Sequence, residues 1–375
     1  MEAHNVVKNA IETRTMRTPA PLDSNGSAVP GSGVSSSEPP PEESASLADL
    51  VRRLRHNDTR ALARAISLIE NAAPEAAALL SACFAHTGGA VGISGEPTRW
   101  GAALRIGITG APGAGKSTLV DRLAAHYRAT GKTIGVVAVD PSSPFTGGAI
   151  LGDRIRFQNF YGDPGFYARS MATRGSLGGL AAATADVALV LEASGKDIIL
   201  IETVGVGQDE IEIARLADIT LVVLIPGMGD DVQSLKAGVM EIADIFVVNK
   251  SDREGADRVE QEIRSLQSLA TDHAPHIPVV RTVATSNTGI DALAAALADR
   301  EQQLRADDHL TEHRTRHWRR RLDTMLRTEL MRRARQHGLT ETELATHASR
   351  IAQGEEDPWQ LVTELAKKAF DSTST

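Results

Sequence analysis

The sequence predicts an α/β protein built on a mostly parallel β-sheet. Two observations predict it. Seven short Val/Ile-rich runs between residues 104 and 284 are separated by stretches whose apolar residues recur at helical spacing. The runs are continuous rather than alternating, which is the pattern of strands buried on both faces. They are "LRIGIT" (104–109), "TIGVVAV" (133–139), "GFYARSM" (165–171), "DIILIE" (197–202), "ITLVVLI" (219–225), "IFVVN" (245–249) and "IPVVRTVA" (277–284).

The flanking segments differ in texture. Residues 1–45 are rich in Ser, Pro and Gly and are expected to form a disordered tail. From Leu47 a helical period sets in, broken near "HNDT" and "NAAP", so residues 46–100 are expected to be a small helical domain of two or three helices and a loop-like linker, "TGGAVGISGEPTRWGA". The α/β core is expected over residues 101–300. Beyond it, "DALAAALADREQQL", "TEHRTRHWRRRLDTMLRTELMRRARQ", "TETELATHASRIAQ" and "DPWQLVTELAKKAF" predict a helical appendage over 301–375.

Composition narrows the function classes. The chain has 375 residues, 42% apolar and 23% charged, with a formal charge of -8. That balance argues against a general nucleic-acid or membrane-surface binder. The single cysteine, Cys83 in "LLSACFA", excludes an intrachain disulfide framework and a thiolate-rich zinc site, and is read as a packing residue. No apolar run approaches the roughly 18 residues of a membrane helix. No signal-peptide core is seen, and Glu2 and Glu12 argue against a transit peptide despite Arg14 and Arg17. A cytoplasmic protein is expected.

The first strand runs into "GAPGAGKS", which fills G-x-x-x-x-G-K-[ST]. Gly110, Gly113 and Gly115 let the loop fold back, so that amides from Gly110, Ala111, Pro112, Gly113, Ala114 and Gly115 onward surround phosphate oxygens. Proline supplies shape there, not an N–H. Lys116 brings positive charge to the β- and γ-phosphates, Ser117 offers a hydroxyl to Mg²⁺, and Thr118 follows in the helix the loop opens.

"VVNKSD" then points to guanine. The carboxylate of Asp252 can accept from the ring N–H and exocyclic amine of guanine, an arrangement adenine lacks. Asn249 and Lys250 flank the base. "VATSNTGI" places Ser286 and Asn287 where a short loop presents a backbone N–H to guanine O6.

"IETVGVGQ" completes the set. A buried strand ends in Glu202, an acid suited to hold Mg²⁺ through water. Gly205 and Gly207 follow as a switch able to aim an N–H at the γ-phosphate. Gln208 is read either as a water-orienting residue or as a helix start. Asp140 ends the strand beside the phosphate loop, and Asp153 lies in a Gly-rich loop; both are candidates for the metal or the attacking water, against a turn starter and a helix cap. Arg174 is read as a surface or structural arginine ahead of one that stabilises phosphate charge.

Together, "GITGAPGAGKSTLV", "VAVDPSSPFTGGAILGDRIRF", "RGSLGGL", "IETVGVGQDE", "PGMGDDVQSLKAGVMEIADIFVVNKSD" and "TSNTGI" resemble the MeaB/ArgK group of P-loop GTPases, which belong with the signal-recognition and nickel-insertion GTPases. The resemblance runs from Leu47 to the C-terminus and weakens beyond residue 300. It implies a Mg²⁺-dependent GTPase with GTP as substrate and GDP as product. It implies a chaperone of adenosylcobalamin-dependent methylmalonyl-CoA mutase that gates cofactor loading and protects or reactivates the mutase. It implies a homodimer formed through the C-terminal helical arm. It also suggests that "GDDVQSLKAG" is a partner switch with Asp230, Gln233 and Lys236 on one helical face, against a solvated helix start. The alternatives are a metal-insertion GTPase and a transport-linked ATPase or kinase of the same class. His309, His313 and His317 recur at helical spacing but are read as a solvated face. The basic run "HRTRHWRRRL" is read as packing on an acidic partner or a dimer mate, not on nucleic acid.

Overall fold

The computed structural model describes residues 47–87, 90–91, 97–98, 103–140, 157–172, 179–203, 216–227, 239–269, 276–306, 309–336 and 340–371. Its centre is a seven-stranded, wholly parallel sheet. In chain order the strands are β3 (Leu104–Gly110), β4 (Ile134–Asp140), β5 (Phe166–Ala172), β6 (Ile198–Glu202), β7 (Ile219–Leu224), β8 (Ile245–Val248) and β9 (Val279–Arg281). Each falls within a residue or two of its predicted run, except that the last run yields only three paired residues before a 3-10 turn at Ala284–Ser286. The spatial order is β5-β4-β6-β3-β7-β8-β9, so β3 and its phosphate loop lie in the middle. The linker expected as loop contains a minimal ribbon, β1 (Ala90–Val91) against β2 (Pro97–Thr98), antiparallel.

Helices cover both faces. On one, α4 (Lys116–Ala129) and α8 (Ile290–Ala306) bury Leu119, Leu123, Ile290, Leu293 and Leu297 against Ile106, Ile108, Val136, Leu200, Leu221 and Val223. On the other, α5 (Gly179–Ala193) packs with α1 (Leu47–Arg55), α2 (Thr59–Glu70) and α3 (Ala76–Thr87). Leu54, Leu62, Ile66 and Leu79 share one apolar cluster with Val137, Val187, Ile199 and Ile201, so the first three helices form part of the layer over the sheet. Adjacent strand residues such as Val136 and Val137 point to opposite faces, which is why both must be apolar. A short α6 (Val239–Ile242) precedes β8, and α7 (Ala256–Leu269) packs Val259 and Ile263 on Phe246 and Val248.

Local chemistry sets the helix ends. The "HNDT" break is an N-cap: Asp58 accepts from the amides of Arg60 at 2.8 Å and Ala61 at 3.1 Å. Cys83 is buried, and burial pushes its thiol up to about 12, as a packing residue requires.

The C-terminal segment comprises α9 (His309–Gln336), α10 (Glu341–Ala352) and α11 (Pro358–Asp371). Thr340 and Glu343 form a capping box at the start of α10. For Arg314 and Arg321, two of the arginines of the basic run, the structure corrects the expectation. Arg314 donates from Nε to Asp218 Oδ1 at 2.9 Å and from Nη2 to Oδ2 at 2.7 Å, and also reaches the Ala103 carbonyl at 3.0 Å. Arg321 pairs with Asp186 and lies over the Trp318 ring. Their acidic partners are therefore the chain's own core. Trp318 meets Phe84 edge-on. His313 is half-buried on this docked face, and burial holds its imidazole below its ordinary range although Asp218 and Asp244 oppose the shift. Past Arg321 the helix leaves the body. Leu322, Met325 and Leu326 are exposed by 58%, 51% and 59%.

Candidate nucleotide site

The site lies at the C-terminal ends of the central strands. β3 delivers Gly110 with φ 138°, and a Cβ there would stand 2.2 Å from the Val223 carbonyl oxygen of β7. Only glycine fits, and the chain can then turn back over the sheet edge. Gly115 has φ 88°, and a Cβ there would meet the Asn249 side-chain amide at 2.5 Å. Lys116 opens α4. Its ammonium is buried and donates to the carbonyls of Gly110 at 2.6 Å and Ala111 at 2.9 Å, which hold it inside the loop. Gly113, Ala111 and Pro112 form the outer rim, Ala114 is fully buried, and Thr118 sits half-buried in the first turn.

Ser117 faces Glu202 across the mouth of this loop. The hydroxyl donates to Glu202 Oε1 at 2.5 Å. β6 pairs with β3 on one side and β4 on the other, with Glu202 opposite Ile108 and Ala138. The carboxylate is thereby fixed and buried at the strand end. The next residue, Thr203, donates its hydroxyl to Thr109 of β3 at 3.2 Å. A hydroxyl and a carboxylate beside loop amides and a lysine are the hard oxygen set suited to Mg²⁺. Asp140 closes β4 two positions past the residue paired with Glu202, at the same end of the sheet; its side chain lies outside the described residues. Asp153, Arg174, Gly205, Gly207, Gln208, Asp230, Gln233 and Lys236 lie outside the described residues altogether.

Two of the guanine-reading candidates, Asn249 and Lys250, are bonded directly to the phosphate loop. Asn249, buried at the end of β8, donates from Nδ2 to the Ala114 carbonyl at 2.8 Å. Its Oδ1 accepts from the Thr282 hydroxyl at 3.1 Å and the Ala284 amide at 3.2 Å. One amide side chain thus ties the loop to the turn carrying Ser286. Lys250 takes the left-handed conformation, φ 54°, and its Nζ donates to the Gly113 carbonyl at 2.7 Å. Asp252 is exposed two residues on. The Ser286 amide is engaged within its own turn, donating to Val283 at 3.1 Å, while its hydroxyl lies 2.9 Å from that of Thr288. The Asn287 amide makes a longer bond, 3.3 Å, to Ala284 and has φ 60°. The turn closes at Gly289, where a Cβ would stand 2.1 Å from the Arg281 carbonyl oxygen. The motifs gave no sign of Thr282, or of Arg122, whose Nε donates to the Ala284 carbonyl at 3.1 Å from the second turn of α4. Neither residue belongs to a spaced pattern, so only the fold brings them in.

A profile of the methylmalonyl-CoA mutase-associated GTPase MeaB matches residues 62–338. The chain belongs to the MeaB family. It is a P-loop GTPase. A Pyrococcus abyssi protein named as a GTPase is 47% identical over 284 residues, 75% of this chain and 82% of its own. The GTPase ArgK of Escherichia coli is 36% identical over 281 residues, 72% of this chain and 80% of its own. The mouse methylmalonic aciduria type A homolog, a mitochondrial protein, is 32% identical over 279 residues, 72% of this chain and 66% of its own. Among solved structures, that of a LAO/AO transport system kinase superposes with a TM-score of 0.61 at 26% identity, covering 86% of this chain and 97% of the other. No described helix is long and apolar enough to cross a membrane.

Proposed function

We propose that this MeaB-family protein is a Mg²⁺-dependent GTPase that serves as chaperone to an adenosylcobalamin-dependent methylmalonyl-CoA mutase, gating cofactor loading and protecting or reactivating the enzyme. The observation that carries the nucleotide reading is the Asn249 bridge, which joins the "NKSD" segment to the phosphate loop and the Ser286 turn. Support for the client comes from the family description, which names the mutase.

In this reading the amides of residues 110–118 other than Pro112 cradle the phosphates and Lys116 neutralises their charge. Ser117 and Glu202 would hold Mg²⁺, which when bound offsets charge on the β- and γ-phosphate oxygens. Asp252 accepts from guanine, and the Asn287 amide, less engaged than that of Ser286, donates to its O6. Asp140 and Asp153 are proposed to help order the metal or the attacking water. Asp230, Gln233 and Lys236 are proposed to relay the bound state to the client. Water attacks the γ-phosphate in line, and the protein's contribution is position and charge. The exposed apolar residues of α9 and α11 are proposed to join two copies.

The test is hydrolysis of GTP and ATP by the purified protein, with and without the purified mutase. Slow GTP turnover that rises with the mutase is expected. GTP turnover indifferent to the mutase removes the client, and equal use of ATP removes the guanine reading.

A further inference from the structure

We propose that Arg122 is a positioning residue for guanine selection, holding the base-reading turn to the helix that opens at the phosphate loop. This rests on the guanine reading above.

The turn has little support from the sheet. It follows β9, which pairs with β8 over three residues and is the edge strand among the described residues. Its own closure is small: Val283 and Thr288 exchange two backbone bonds of 3.0 and 3.2 Å across it. A loop on a short edge strand moves readily unless something else fixes it. Here both backbone polar groups of buried Ala284 are gripped from outside the turn. Asn249 Oδ1 accepts from its N–H at 3.2 Å, and Arg122 Nε donates to its C=O at 3.1 Å. Asn249 reaches the turn from the base-reading strand. Arg122 reaches it from α4, five residues past Ser117, on the element that carries the phosphate-binding residues. Phosphates seated at the start of α4 and a base seated at the turn are therefore held in register by this guanidinium on α4 together with the Asn249 bridge. A base contact depends on sub-ångström placement, so loosening that grip weakens guanine recognition and spares the phosphate contacts.

The experiment measures dissociation constants for GDP and ADP, together with steady-state GTP hydrolysis and thermal unfolding, on the full chain carrying Arg122→Ala or Arg122→Lys. For Arg122→Ala the preference for GDP over ADP is expected to fall about tenfold, through weaker GDP binding at unchanged ADP binding. KM for GTP is expected to rise while kcat at saturation stays the same. Arg122→Lys keeps a donor of similar reach and is expected to recover most of the preference. A lowered unfolding temperature with an unchanged GDP-to-ADP ratio in folded Arg122→Ala overturns the proposal and leaves Arg122 a structural residue. Should the unsubstituted protein itself show no preference for GDP, the guanine reading fails instead. If Arg122→Ala does not fold, Arg122→Met, which keeps the apolar stem and removes the donor, takes its place, and an unchanged GDP-to-ADP ratio in it overturns the proposal.

Discussion

Key residues of the site are held by a few bonds that can be broken singly. Lys116 sits at the centre of the loop with no second cation in the motif to replace it. Lys116→Ala is expected to abolish tight GTP binding in a fluorescence titration; an unchanged affinity would remove the phosphate-loop assignment. Asp252 is the group expected to tell guanine from its analogues. Asp252→Asn is expected to shift preference toward xanthine nucleotides, because an amide can donate where the carboxylate only accepted. Retained guanine preference in competition binding would show that another group reads the base. These residues were legible in the sequence because phosphate and base recognition need adjacent residues at fixed spacing. Arg122 and Ala284 were not, since an arginine and an alanine 162 positions apart carry no pattern until the fold joins them.

Elements are held by a few polar ties between distant segments, and these set stability. Asp218 precedes β7, is 5% exposed, and takes bonds from Arg314 and from the Arg105 amide at 2.9 Å. Burial opposes its ionisation, but Arg314 outweighs that and holds the carboxyl below its ordinary range. Arg314→Ala strands a buried charge and is expected to cost about 3–5 kcal/mol in urea unfolding. A loss below about 1 kcal/mol would mean the pair behaves as a surface contact. Lys196, at the opposite end of the sheet from the nucleotide site, is 3% exposed and donates to Asn57 Oδ1 at 2.8 Å. Burial, aided by Arg128, pulls its amine down from 10.5 to about 8. Between those values the unfolded chain binds the extra proton, so stability is expected to rise with pH there, by on the order of 3 kcal/mol. Lys196→Met should flatten that rise in denaturation curves taken from pH 8 to 10; an unaltered slope would assign the pH dependence to other groups. The strands other than β9 were legible to within a residue or two, the inner ones because burial on both faces demands unbroken apolar runs. The two-residue ribbon β1–β2 was not, because so short a pairing imposes no period. The docking of Arg314 and Arg321 was not either, since a charge run looks the same whether its acids lie in this chain or in another.

At the scale of the whole molecule, the nucleotide core and the outer arm present different surfaces. α11 packs back on α9. The pair leaves Leu322, Met325, Leu326, Trp359 and Val362 exposed, with Trp359 at 80%. Exposed large apolar side chains of this kind are what the proposed joining of two copies would cover. Leu326→Glu with Trp359→Ala is expected to convert a dimer to a monomer in sedimentation velocity while leaving GTP turnover intact. A monomeric parent protein at micromolar concentration would refute the role given to the arm. The central place of β3 has another consequence, in time. Its partners are β6 and β7, whose residues Ile198 and Ile219 lie far downstream of Leu104 and Ile106. During synthesis the central strand of the sheet keeps an open edge until both have left the ribosome, on the order of ten seconds at ordinary elongation rates. Throughout that interval the nascent chain shows an apolar segment with an open edge, the kind of surface holdase chaperones capture, so this GTPase is expected to need such shielding during its own birth.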